Sequence, residues 1–193
     1  MKKLVLGVAM LLLAQMGFGQ AVTDNAVIPV SITLNSILRL SVTSGGNIQF
    51  VVNTIDQYEN GIANTSQYTT TFQVASSRDF TVTLGAEDQT FIGLETSNTD
   101  LTLDNVGYEI ATPGLGTVPT GLQALVAFVD GGGLPSAATI VTADAGAADD
   151  NIYEIQWELG TGVAPMNTST LLEQSLDADI YITNVFLNVT PQP

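Results

Sequence analysis

Apolar and polar residues alternate one by one through most of this chain, and a period of two is the signature of β-strands that bury one face. Val30, Ile32 and Leu34 alternate with Ser31 and Thr33, and Leu38, Leu40 and Val42 with Arg39 and Ser41. Ile48, Phe50 and Val52 follow the turn Ser44-Gly45-Gly46. Tyr68, Thr70, Phe72 and Val74 form one run and Phe80, Val82 and Leu84 the next; the intervening Ala75-Ser76-Ser77-Arg78-Asp79 predicts an antiparallel hairpin. Further on, Val106, Tyr108 and Ile110 alternate with Gly107 and Glu109 behind Leu101, Leu103 and Asp104-Asn105. Leu122 to Val129 is a nearly continuous apolar run, as in a strand buried on both faces or a short buried helix. Tyr153, Ile155, Trp157 and Leu159 alternate with Glu154, Gln156 and Glu158, the pattern of a half-exposed strand. The last run, Ile180 to Val189, is apolar on both faces and breaks phase near Asn184.

Thr, Val, Asn and Gly dominate, whereas the helix formers Lys, Arg and Glu are scarce, so helix is expected only as a turn or so over Ser169-Thr170-Leu171-Leu172-Glu173-Gln174. The chain is therefore expected to be all-β, an immunoglobulin-like or jelly-roll β-sandwich of about ten short antiparallel strands. An outer-membrane barrel would need aromatic girdles that 7% aromatic residues do not supply. No repeat of fixed period is present.

The start supplies a basic Met1-Lys2-Lys3, an apolar run from Leu4 to Leu13 and small residues around Gly17-Phe18-Gly19. These are the three zones of a secretory signal peptide over residues 1–20, with cleavage expected after Gly19 or Gln20. Residues 21–193 are then expected to form one domain with an extended arm over residues 22–34. No run approaches the roughly 20 apolar residues of a membrane helix, so no membrane span is expected.

Past residue 20 the chain has no Lys, His or Cys, and Arg39 and Arg78 stand against all nineteen acidic residues. The net charge of −15 becomes −17 when Lys2 and Lys3 leave with the leader. A surface of that sign repels phosphate, which excludes nucleic acid as a partner. Nucleophilic schemes built on His, Cys or Lys are excluded too, and zinc rarely accepts carboxylates alone. A pair of carboxylates could still act on a glycosidic bond. Glu154 and Glu158, two pleats apart, would be separated by about 13–14 Å, too far for the roughly 5–9.5 Å that chemistry needs. No catalytic residue is therefore assigned, and an enzyme is not expected. Without Cys the fold must rest on burial, which roughly 170 residues can supply by removing about 70% of the unfolded surface from water.

Two loops invite a binding reading. Asp144, Asp149, Asp150 and Asn151 crowd one acidic loop, and Ca²⁺ accepts carboxylate and amide oxygens from a flexible segment, although the spacing is not that of an EF-hand. Calcium is the one cofactor that the sequence suggests; a solvated turn is the alternative. In Asp56-Gln57-Tyr58-Glu59-Asn60-Gly61 the Asn-Gly pair predicts a tight turn with positive φ angles, which would leave Tyr58 exposed. Tyr58, Tyr68, Tyr108, Tyr153 and Trp157 could form a platform for a glycan, but alternation with polar residues turns most of them inward.

The arm poses a different question. Ala26 to Leu34 is β-prone and apolar at Val27, Val30, Ile32 and Leu34, and Pro29 marks it as an edge strand, because proline cannot donate to a ladder. Edge strands template the addition of another chain, and head-to-tail addition propagates a filament. The alternative is a first strand paired within its own sheet.

Leader, alternating arm, Cys-free Thr/Asn-rich sandwich and C-terminal strand together resemble secreted fibre or pilus subunits that assemble by strand donation. The disulfide usual in chaperone–usher pilins is missing. The leader's closing Phe18-Gly19-Gln20 is similar to those of exported Bacteroidetes proteins. The resemblance implies a non-enzymatic structural or adhesive subunit, secreted or held at a bacterial cell surface and self-associating into a homopolymer. A carbohydrate- or calcium-binding module is the second reading.

Overall fold

The alternation becomes ten strands within residues 29–128 and 137–192, the parts that a computed structural model describes. The larger sheet has the order β1 (Leu38–Ser44), β2 (Thr69–Ser76), β8 (Ile152–Leu159), β5 (Val106–Thr112) and β6 (Gln123–Ala124). A second sheet runs β10 (Val185–Pro191), β3 (Phe80–Ala86), β7 (Ala138–Ala143), and β4 (Ile92–Gly93) pairs with β9 (Tyr181–Ile182). Every strand pair is antiparallel. The protein is all-β and sandwich-like, as its periodicity predicts.

Inward residues of both main sheets enter one core. Along β2 burial alternates strictly, with Thr70, Phe72, Val74 and Ser76 inside; Phe80, Val82 and Leu84 do the same for β3. Phe72 stacks on Tyr153 at 5.2 Å, and Tyr108 lies tilted against Trp157 at 5.7 Å. Burying each such side chain stabilises the fold by about 1.5–3 kcal/mol.

Two buried tyrosines differ in what their hydroxyls meet. Tyr153 donates to the carbonyl of Leu115 at 2.7 Å and to Oδ1 of Asn151 at 3.1 Å. The hydroxyl of Tyr108 is buried with no hydrogen-bond partner among the described residues, and burial pushes its pKa up to about 12. Tyr153→Phe should therefore cost about 1–2 kcal/mol, while Tyr108→Phe should be neutral or stabilising by up to about 1 kcal/mol. Urea titrations of the two variants check the contrast. A loss on Tyr108→Phe as large as that on Tyr153→Phe would show that its hydroxyl is satisfied after all.

Several expectations are corrected. Residues 75–79 do not close a hairpin: β2 pairs with β1 and β8, whereas β3 pairs with β10 and β7, so the connection crosses between sheets. Alternation specifies which face is buried, not which strand lies alongside. Ile48, Phe50 and Val52 form no ladder; they pack against the core from an irregular segment, with Phe50 stacked on Tyr68 at 4.5 Å. Of the run from Leu122, only Gln123–Ala124 is a strand, with Leu125 buried behind it and Ala127 bridged to Ala86; Val129 lies outside the described residues. The predicted turn at 56–61 is a short helix, α1 (Ile55–Asn60). Thr54 and Gln57 form its capping box, a local signal that the scarcity of helix formers overshadowed. Gly61 does adopt the positive φ, at 71°, as the C-cap. β8 is a central strand with Glu154 and Gln156 half-buried and Glu158 buried, where its carboxylate accepts from the Thr161 hydroxyl at 2.5 Å.

The turn at 169–174 forms, closed by reciprocal bonds between Thr170 and Glu173. Gln174 then exchanges amide hydrogen bonds with the buried Asn105 at 2.7 and 3.0 Å. The phase break near Asn184 also appears, separating β9 from β10.

Candidate functional site

Among the described residues β1 and β10 each end their sheet, with no partner strand along one ladder edge. Between them lies an apolar groove of about 420 Å³. Gly45 to Ile48 and Phe50 make one wall, Thr183 to Leu187 the other, and Leu84, Leu125, Ile155 and Trp157 the floor. No charged side chain lines it, although the chain as a whole is strongly acidic. Along the rim, Val42, Val185 and Phe186 are 46%, 38% and 45% exposed.

A hydrogen-bond relay ties the first wall to the core. Trp157 Nε1 donates to the Thr70 hydroxyl at 2.9 Å, which in turn donates to the Gly45 carbonyl at 2.7 Å. Gly45 can accept that position because its φ is 63°. The groove therefore has a wall held in place from below.

Of the arm residues, Val30, Ile32 and Leu34 are 81%, 81% and 90% exposed, and residues 29–37 belong to no strand. They do not form an edge strand within a sheet of their own chain, and Val27 lies outside the described residues. Backbone contacts divide the chain after Leu34.

The residues of the acidic loop part company. Asp144, Asp149 and Asp150 are exposed, whereas Asn151 is fully buried, its amide donating to the Ala147 carbonyl at 3.3 Å and accepting from Tyr153. Among the described residues no three His, Cys, Asp or Glu side chains gather as metal ligands would. Asn151 thus closes the turn that leads into β8, and its polar atoms are committed there.

The aromatics sort by burial. Tyr108 and Tyr153 are fully buried and Trp157 nearly so, as their alternation predicts. Tyr58 departs from expectation: carried by α1, it is half-buried and packs against the core, and its carbonyl accepts from the Leu172 N–H at 3.2 Å. The exposed aromatic at the groove is Phe186, which periodicity alone did not single out.

Sequence reasoning also missed Asp179. Its carboxylate accepts from the Thr96 hydroxyl at 2.6 Å and from the N–H groups of Glu95, Thr96 and Ile180. The Thr96 hydroxyl first, and then the Glu95 N–H, hold its pKa well below the usual carboxylate range. This clasp fastens the turn after β4 to the approach to β9. A Cβ at Gly93 would fall 2.4 Å from Asp179 Oδ2, so that glycine makes room for the clasp. Partners more than eighty residues apart leave no local signal.

No helix among the described residues is long and apolar enough to cross a membrane. No protein-family model and no curated protein matches the chain.

Proposed function

We propose that this protein is a secreted, non-enzymatic structural or adhesive subunit of a bacterial cell surface that self-associates through strand addition by residues 22–34. One observation carries the reading. Val30, Ile32 and Leu34 present an alternating apolar face that is at least 81% exposed and unpaired in any sheet. Exposed contiguous apolar surface favours an interaction partner, and a segment of this period offers its backbone as well as its side chains. The side-chain inventory supports the non-enzymatic part, since chemistry at neutral pH draws mostly on residues that this chain lacks past its leader.

The test is the assembly state of the mature chain with and without residues 22–34. Size-exclusion chromatography and negative-stain microscopy should show multimers or filaments for the first and monomers for the second, with matching far-UV circular dichroism. A mature chain that stays monomeric at every concentration would overturn the reading.

A further inference from the structure

We infer that the acceptor for the arm is the free edge of β10 beside the apolar groove, so that residues 30–34 of a second copy pair along β10 and seat Val30, Ile32 and Leu34 against it. The inference rests on the strand-addition reading and goes further by naming where the arm lands.

Of the strand edges in the two main sheets, β7 is bridged at Thr142 by Thr117, and β6 has only two residues. That leaves β1 and β10 as long edges. β10 contributes Val185, Phe186 and Leu187 to the groove, whereas β1 contributes Val42 alone. An incoming strand on β10 therefore finds ladder groups and apolar surface together; on β1 it finds mainly ladder groups.

The arm suits such a place in three ways. First, its side chains at positions 30, 32 and 34 fall on one face about 6.6 Å apart, with Ser31 and Thr33 left for solvent. That matches a site apolar on one side and wet on the other. Second, five residues of strand reach about 16 Å, within the span of the seven-residue β10. Third, neither the groove lining nor residues 25–34 carries a charge, so the acidity of both copies does not oppose the contact at its centre.

Because the mature sequence has no cysteine, single introduced cysteines report proximity directly. Full mature chains carrying Ile32→Cys, labelled with nitrogen-15, are mixed with unlabelled chains carrying Val185→Cys and oxidised. The intermolecular 32–185 disulfide, identified by mass spectrometry, should exceed by about tenfold the one formed when the unlabelled chain carries Thr43→Cys on β1. As an independent check, Phe186→Asp should abolish assembly and leave circular dichroism unchanged, since Phe186 is half-exposed. Cross-linking at Thr43 in preference to Val185 would move the acceptor to β1, defeating this assignment but not strand addition. Assembly that survives Phe186→Asp without any 32–185 disulfide would defeat it equally. A mature chain that never assembles would instead remove the underlying reading.

Discussion

Trp157→Ala should lower the free energy of unfolding by about 3–5 kcal/mol, the usual cost of emptying a large aromatic site in a core that cannot collapse around the gap. Trp157 is 6% exposed, packs against Tyr108, and holds Thr70 through its indole N–H. The substitution removes packing on one side and, on the other, the relay that reaches the Gly45 carbonyl. Against a typical total of about 5–15 kcal/mol, such a loss leaves the domain close to its unfolding threshold. In urea the midpoint should fall by roughly 2 M, from the size of the loss and a slope near 2 kcal/mol/M. Trp157 is the chain's single tryptophan, so the measurement must use far-UV circular dichroism. A fall below about 1 kcal/mol would mean that the site repacks, and the floor of the groove would then not be rigid.

Gly45→Ala should be nearly as damaging, and Gly46→Ala should not. At Gly45 the φ of 63° is costly for any residue with a Cβ, and a Cβ there would lie 2.0 Å from the Thr69 carbonyl oxygen and 2.8 Å from the Thr70 Cα. Both obstacles are backbone atoms of β2, which is paired on either side and cannot step back. A loss of at least about 2 kcal/mol is expected. At Gly46 the nearest atom is the Val42 side chain at 3.9 Å and the φ is not positive, so alanine fits; by restricting the unfolded chain it should stabilise by about 0.5 kcal/mol. Thermal unfolding of the two variants in parallel decides the matter. Equal effects would show that the Gly45 wall yields, and a yielding wall would weaken the case for a preformed groove.

The groove itself was only half legible. Val185, Phe186 and Leu187 fall in a run that is apolar on both faces, which hinted at a strand without saying that it ends a sheet. The Gly-Gly turn was legible as a turn, but which glycine needed its freedom depends on the backbone of residues 69 and 70, far along the chain. The arm was legible as apolar, alternating and suited to an edge; that residues 30–34 sit in no sheet of their own chain appears only in three dimensions. The acidic loop shows the converse. Its residues are adjacent in sequence, yet Asn151 turns inward to Tyr153 and Ala147 while the aspartates remain outside.

By itself the sequence determined the all-β class and most of the inward faces, because a strand's side chains alternate whatever its neighbours are. Phe72, Val74, Phe80, Val82, Tyr108, Tyr153, Ile155 and Trp157 are buried as that rule requires. Only the tertiary structure decided that β2 and β3 part into different sheets, that β1 and β10 become edges, and that Asp179 fastens two distant turns. Partner choice depends on backbone groups that every residue except proline carries alike, so it is settled by how the whole set of strands can bury its apolar faces together.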